Sequence, residues 1–415
     1  MRTRVGMAVM VGATLALSAP AMAGTVATRF AEPNGNGPEP CEFADPCDIQ
    51  IAVEAAPAGS PVSLATGTYI LGDELQVSGN VDVLGVGAPD ETVLIMGDST
   101  GVHVVPSSPG TFLQSFTIAH QPQTDPSFGL QLESGTAEFL RVDSTGNYAC
   151  FTAGLIRSST CINSDPVAGV GAGLFSPVAA TGKLRNVTAV SLGTVNGYGV
   201  FASATGAGDF QVTLDGRNVI AQGATFDQGG NDTNTNNASS HIDLDYSNFN
   251  TLNFLPATGA TGTGAGTLNN QTDVPLLDTN TWHQLPGSST IDAGSGSVTD
   301  HPSLDFDLEP RNQNGIPDIG ADESDGSPPD TAITKKPPKR TTKRTGTFEF
   351  ESAEAGAGFE CKLDGKPFAS CDSGTVKYKR LTRKKHTFQV RAVDGFENAD
   401  STPAKYVWTV KKRRR

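Results

Sequence analysis

Residues 101–142 read GVHVVPSSPGTFLQSFTIAHQPQTDPSFGLQLESGTAEFLRV. Twice in this stretch a glycine and an apolar residue open a short alternating run, GVHVV at Gly101 and GLQLE at Gly129. In each case a turn leads into a second alternating run, Phe112–Ile118 and then Ala137–Val142. The opening recurs as GLIRS at Gly154, GLFSP at Gly173 and GVFAS at Gly199, and second runs follow at Leu184–Val190 and Phe210–Leu214. An alternating run has one apolar face, and a unit this small cannot bury that face alone. Stacking the units joins their inward Leu, Val, Ile and Phe into one elongated core. The reading is a parallel β-helix, right-handed by the handedness preference of parallel crossovers, with strands stacked over residues 60–285 and bends expected at Asn147 and Asn196-Gly197. The Asn231–Ser240 run is expected as a loop.

Composition agrees. The chain has 415 residues, 47 of them Gly, and 18% are charged. That length exceeds one compact core, and helical periodicity is absent beyond the first twenty residues, so the protein is expected to be all-β. Arg2 and Arg4, the apolar run Val5–Leu17 and Ala21-Met22-Ala23 form an export signal over residues 1–23. The run falls short of the ~20 apolar residues of a membrane span, and no later stretch reaches that length. The mature chain is expected to be extracellular.

Charge divides the mature chain. Residues 24–330 carry 7 Lys and Arg against 35 Asp and Glu, a net of −28, whereas residues 331–415 carry 21 against 9, a net of +12. Such asymmetry marks two units, joined by the Gly/Ser/Pro linker at 324–330. The six cysteines fall as close pairs, Cys41 with Cys47, Cys150 with Cys161 and Cys361 with Cys371. CxxC spacing is absent, so disulfides in an oxidising compartment are expected in place of zinc.

The two ends of the acidic unit carry a resemblance. Residues 288–323, SSTIDAGSGSVTDHPSLDFDLEPRNQNGIPDIGADE, resemble the closing segment of bacterial secreted β-helix proteins of the choice-of-anchor Q type, through Ile291-Asp292-Ala293-Gly294, Asp305, Asp307, Arg311 and Asp318–Glu323. Asp322 departs from that ending, where an apolar residue is common. Cys41, Pro46-Cys47, Gly59–Leu64 and Gly67–Leu71 are similar to the opening coils of pectin-lyase-like β-helices. Open solenoid ends expose unpaired backbone groups, so covers are expected at both: a helical N-terminal cap at Cys41–Ala56 and a cap made by Ser288–Glu323 over the far end. The GVG at Gly85–Gly87 is not a nucleotide loop, because Pro89 follows and no helix does. Phe359–Gly365 with Cys371 and His386–Asp394 resembles the small immunoglobulin-like domains of exported bacterial proteins. That implies an antiparallel sandwich over residues 331–415, its cysteines tying adjacent strands, with a KKRRR tail.

Two chemistries are open in the acidic unit. Eliminative cleavage of a polysaccharide needs carboxylates to hold Ca²⁺ and a basic residue to take a proton; the acidic unit contains Asp227, Asp232, Asp243 and Asp245, with His241 among them, and Arg157, Lys183, Arg185 and Arg217 as basic candidates. Hydrolysis needs carboxylates converging on a cleft. Asp243 and Asp245 share a face of one strand, and Asp215 stands on a neighbouring coil. Asp305, Asp307 and Glu309 form the tightest carboxylate run, a candidate Ca²⁺ site, although Pro310 and Ile316 occupy positions where an EF-hand has Gly and Glu. Against these stands the reading of Asp and Asn as turn and surface residues of a solvated solenoid. The favoured function is a monomeric, non-catalytic surface protein that uses no cofactor. It would bind glycans or other surface partners through the solenoid and anionic envelope polymers, not nucleic acid, through its basic unit. A polysaccharide lyase or glycoside hydrolase is the alternative.

Overall fold

A computed structural model describes residues 28–412, apart from 38–40, 98–99, 123–126, 207, 232–237, 256–260, 263–268, 286, 312–314, 325–328, 353–356, 372–373 and 394–398. The export signal, Asp232, most of the expected 231–240 loop, the linker's centre and the last three residues of the basic tail lie outside the described residues.

From Arg29–Ala31 to Thr261–Gly262 the chain winds as a parallel β-helix. One sheet stacks the long strands Phe112–His120, Thr136–Ser144, Leu155–Asn163, Ala180–Ser191, Gln211–Gly223 and Ser239–Asp245. A second stacks Leu75–Val77, Thr100–Val104, Phe128–Leu132, Tyr148–Thr152, Ala168–Ser176, Asn196–Ala204, Phe226–Asn231 and Leu252–Leu255. Every pairing between these strands is parallel and joins one coil to the next. The core is the stack of inward side chains, such as Leu113, Ala137, Ile156 and Leu184, level in successive coils and fully buried.

The first five of these long strands are each bent once. Ser115, Phe139, Ser158, Asn186 and Asn218 fall at one level of the register and all have positive φ, between 42° and 59°. A left-handed residue at this level turns the strand into two limbs, and Asn tolerates that conformation better than most. Two of the five bends fall at the Asn of Arg185-Asn186-Val187 and Arg217-Asn218-Val219, while Asn147 and Asn196 are not among the left-handed residues.

The glycine reading is half corrected by the register. Gly101 and Gly129 are level, but the next coils continue the column through Ala149, Gly171 and Gly199. Gly173 instead pairs with Phe151 and Phe201, and Gly154 lies between strands. The column needs small residues because a Cβ on Gly171 would meet Gly199 O at 2.7 Å and one on Gly199 would meet Gln222 N at 2.5 Å.

Asp48 accepts from the Gln50 amide at 2.8 Å and caps a helix, Ile49–Glu54, that buries Ile49, Ala52 and Val53 against the first coils. The structure joins Cys41 to Cys47, Cys150 to Cys161 and Cys361 to Cys371. Cys150 belongs to the eight-stranded sheet and Cys161 to the other, and both are fully buried, so this bond crosses the solenoid core within one coil and does not close a hairpin.

The closing segment differs from the expected end cap. It runs back along the flank of the long sheet, following the column of bends. Ser158 donates to Leu304 O at 2.6 Å, Asn218 exchanges two hydrogen bonds with Ser295, Thr188 accepts from the Ala321 amide at 3.0 Å, and Asn186 reaches Asp318 O at 3.4 Å. The reason is chemical. A left-handed bend turns polar side chains outward, and an irregular segment needs partners for its own amides and carbonyls.

Residues 331–410 form a three-stranded and a five-stranded sheet, antiparallel except where Arg340–Thr341 pairs with Ala404–Val410. Phe348, Phe350, Phe359, Phe388, Val390 and Trp408 make their core, with Phe348 stacked on Phe388 at 4.0 Å. Cys361 and Cys371 tie the paired strands Gly358–Leu363 and Ala369–Ser370 within one sheet. Among the described residues no helix is long and apolar enough to cross a membrane.

Candidate functional site

Parallel pairing brings the three catalytic candidates together. Asp215 stands level with Lys183 in the coil before and Asp243 in the coil after, and Arg217 stands level with Arg185 and Asp245. The result is two adjacent columns on the first limb of the long sheet. Arg217 occupies their centre. Its guanidinium lies 2.7 Å from Asp215, 3.2 Å from Asp243 and 3.3 Å from Asp245. Arg185, almost wholly buried, holds the other Asp215 oxygen at 2.7 Å and donates to Thr299 O at 3.0 Å. Burial raises the Asp245 carboxyl, Arg217 pulls it down, and the charges of Asp243 and Asp215 raise it again.

The arrangement stabilises charge but does not poise it for transfer. A guanidinium stays protonated throughout the useful pH range, so Arg217 is a poor proton acceptor. Hydrolysis needs one protonated carboxyl and a water between two carboxyls; here a cation fills that position. Of the other sequence candidates, Lys183 pairs with Asp300 at 3.5 Å on the surface, and Asp227 accepts the amides of Gly223, Asn250 and Thr251 as a turn residue. His241 stands level with Thr213, two residues before Asp243.

A cleft of about 360 Å³ opens where the closing segment crosses the earlier coils, between Gly85, Gln114, Glu138, Phe139 and Arg157 on one side and His301–Leu304 on the other. Glu138 is 3% exposed and takes Arg157 Nε at 2.9 Å. Burial raises its carboxyl against the pull of Arg157. His301 Nδ1 engages Pro302 O at 2.7 Å, its Nε2 is buried with no hydrogen-bond partner among the described residues, and burial lowers its pKa. Glu138 and His301 escaped the sequence reading because 163 residues separate them.

The calcium candidates do not converge. Asp305 is 1% exposed, and its two oxygens accept the amides of Asp307, Glu309 and Glu323 at 3.0, 2.8 and 3.1 Å. It shapes the loop. Asp307 turns instead to His283, at 3.1 Å, with Asp322 alongside, and Glu309 is not part of that group. Nearby, Arg311 is buried. It pairs with Glu323 at 3.7 Å and donates to Gly320 O and Ala321 O. Its ion-pair partner is thus Glu323. Asp318 accepts the amides of Asp292 and Ser324 and the side chain of Gln284. The residues that carry the family resemblance are therefore the ones that build this knot.

Comparison with known proteins adds little beyond the architecture. No family model matches the chain, and no curated protein does. Among solved structures the chain is similar to pectate lyase Pel9A, at 12% identity and TM-score 0.36 over 71% of this chain and 96% of that one. It is also similar to the cell-surface-expressed multi-modular chitinase ChiW from Paenibacillus sp. str. FPU-7, at 10% identity and TM-score 0.17 over 85% of this chain and 24% of that one. Similarity at these levels assigns no chemistry.

Proposed function

We propose that the protein is an exported, extracellular β-helix of the choice-of-anchor Q type whose solenoid, residues 24–323, is a non-catalytic binding scaffold. The observation that carries this reading is Arg217, clamped by Asp215, Asp243 and Asp245 in the place where a catalytic water or cation would sit. An immunoglobulin-like unit at 331–415, with its net charge of +12, holds the chain to anionic envelope polymers. The solenoid's net −28 repels acidic polysaccharides, so its own partners are neutral glycans or proteins. The protein acts as a monomer.

The test uses the mature chain on a panel of acidic and neutral polysaccharides, with and without Ca²⁺. No unsaturated product and no new reducing ends are expected, and retention on an anionic polymer is expected to fall steeply as salt shortens the screening length. A second reading, a lyase or hydrolase, draws on the cleft that joins Glu138, Arg157 and His301. Turnover abolished by Asp243→Ala or Asp245→Ala refutes the scaffold reading; turnover abolished by Glu138→Gln places the chemistry in the cleft.

A further inference from the structure

We propose that His283, Asp307 and Asp322 form a mononuclear site for a divalent transition ion of the zinc or manganese type, which pins the closing segment to the residues before it. Three observations lead there. The first is convergence: one ligand atom from each side chain lies within 4.8 Å of the other two, and His283 Nε2 to Asp307 Oδ2 is 3.1 Å. Two ligands bound to one ion at about 2.1 Å each stand roughly 3.0–3.4 Å apart across an octahedral or tetrahedral edge, so this pair needs little adjustment.

The second is an unfinished carboxylate. Asp322 is 6% exposed, its Oδ2 accepts the Gln284 amide at 2.6 Å, and among the described residues no donor reaches its other oxygen. A carboxylate so deeply buried requires a compensating partner.

The third is the donor set: one imidazole and two carboxylates face a single point, so one dication answers both carboxylates at once. The ligand set chooses the ion: imidazole suits zinc and its neighbours, carboxylates suit manganese, and calcium takes oxygen alone. His283 is set by an edge-on contact with Phe306 at 5.1 Å, and His283 and Asp307 are 41% and 34% exposed, which leaves an entry path and room for water ligands.

The experiment titrates the EDTA-stripped mature chain with Zn²⁺, Mn²⁺ and Ca²⁺ by calorimetry and follows thermal unfolding in parallel. One equivalent of Zn²⁺ or Mn²⁺ is expected to bind in the micromolar range or tighter and to raise Tm. His283→Ala and Asp307→Asn are each expected to weaken that binding by at least about 100-fold and to abolish the Tm gain. His103→Ala is the control, because His103 sits 2.9 Å from Glu74 and 3.7 Å from Glu133 outside the knot; it should leave binding unchanged. Asp307→Asn, at the rim, keeps the test decisive if His283→Ala fails to fold. Absence of uptake at ~1 mM metal, preference for Ca²⁺, or stoichiometric binding that survives Asp307→Asn overturns the proposal.

Discussion

Arg217 Nη1 lies 2.7 Å from Asp215 Oδ1, two positions back along the same strand, where alternation puts both side chains on one face. The next coil adds Asp243 and Asp245 to the same guanidinium. Replacing Arg217 by Met removes the cation and leaves three mutually repelling carboxylates. The four side chains are 13–37% exposed, so the cost should fall between that of a surface pair and that of a buried one, about 1–3 kcal/mol. Urea denaturation is expected to show that loss, and Asp243→Asn in the Arg217→Met background should recover part of it. An Arg217→Met chain as stable as the parent contradicts this account of the cluster.

The small-residue column gives a steric prediction. Gly199→Val places a Cβ 2.5 Å from Gln222 N and 2.9 Å from Asp227 O, both backbone atoms. Relief requires the coils to shift, and overpacking of this kind costs roughly 1–3 kcal/mol. Gly72→Ala, where a Cβ meets open space, is expected to be neutral in the same assay.

The disulfide of the basic unit, with Cys361 buried in its core, gives a stability prediction. Cys361→Ala with Cys371→Ala frees a closed loop in a small unit whose core is one aromatic cluster. A loss of about 2–4 kcal/mol is expected. Trp408, 1% exposed in that core, reports it: its fluorescence transition should move to lower temperature. An unmoved transition means the bond is dispensable.

Burial lifts the Asp318 carboxyl to about 8, against the pull of the Asp292 and Ser324 amides. The folded chain therefore binds a proton that the unfolded chain, at the ordinary value of 3.8, has released. Stability from this group is complete below pH ~4 and is lost as pH rises through about 8. With EDTA present, the urea midpoint of the mature chain should fall between pH 5 and 8.5. Asp318→Asn, which titrates no proton, should flatten that slope; an equal slope in the variant assigns the pH dependence elsewhere.

Much of the solenoid was readable because its code is local. Alternation at Phe112–Ile118 and Ala137–Val142 fixes which side chains face inward within each strand, and that does not depend on distant residues. Close cysteine spacing is equally local. Two of the five bends carry a sequence mark, Arg-Asn-Val at 185–187 and again at 217–219. The other three, at Ser115, Phe139 and Ser158, do not, and one Asn among many carries no sign of positive φ.

The sequence by itself determined the inward faces of the strands, the cysteine pairs, the charge division and the candidacy of Asp215, Asp243 and Asp245. Only the tertiary structure decided what those residues meet. Register between coils brought Asp243 and Asp245 to Arg217 beside Asp215, and a slip of one residue between the coils would have turned both of them to the other face. The path of the closing segment was likewise undecided by its motif: it could cover an open end or follow a flank. The column of left-handed residues settled it, because Ser158, Asn186 and Asn218 offer partners to a segment that lacks its own. The same path carried Asp307 and Asp322 to His283 and buried Arg311 against Glu323. These meetings depend on coil stacking and backbone partners, which no single stretch of sequence encodes.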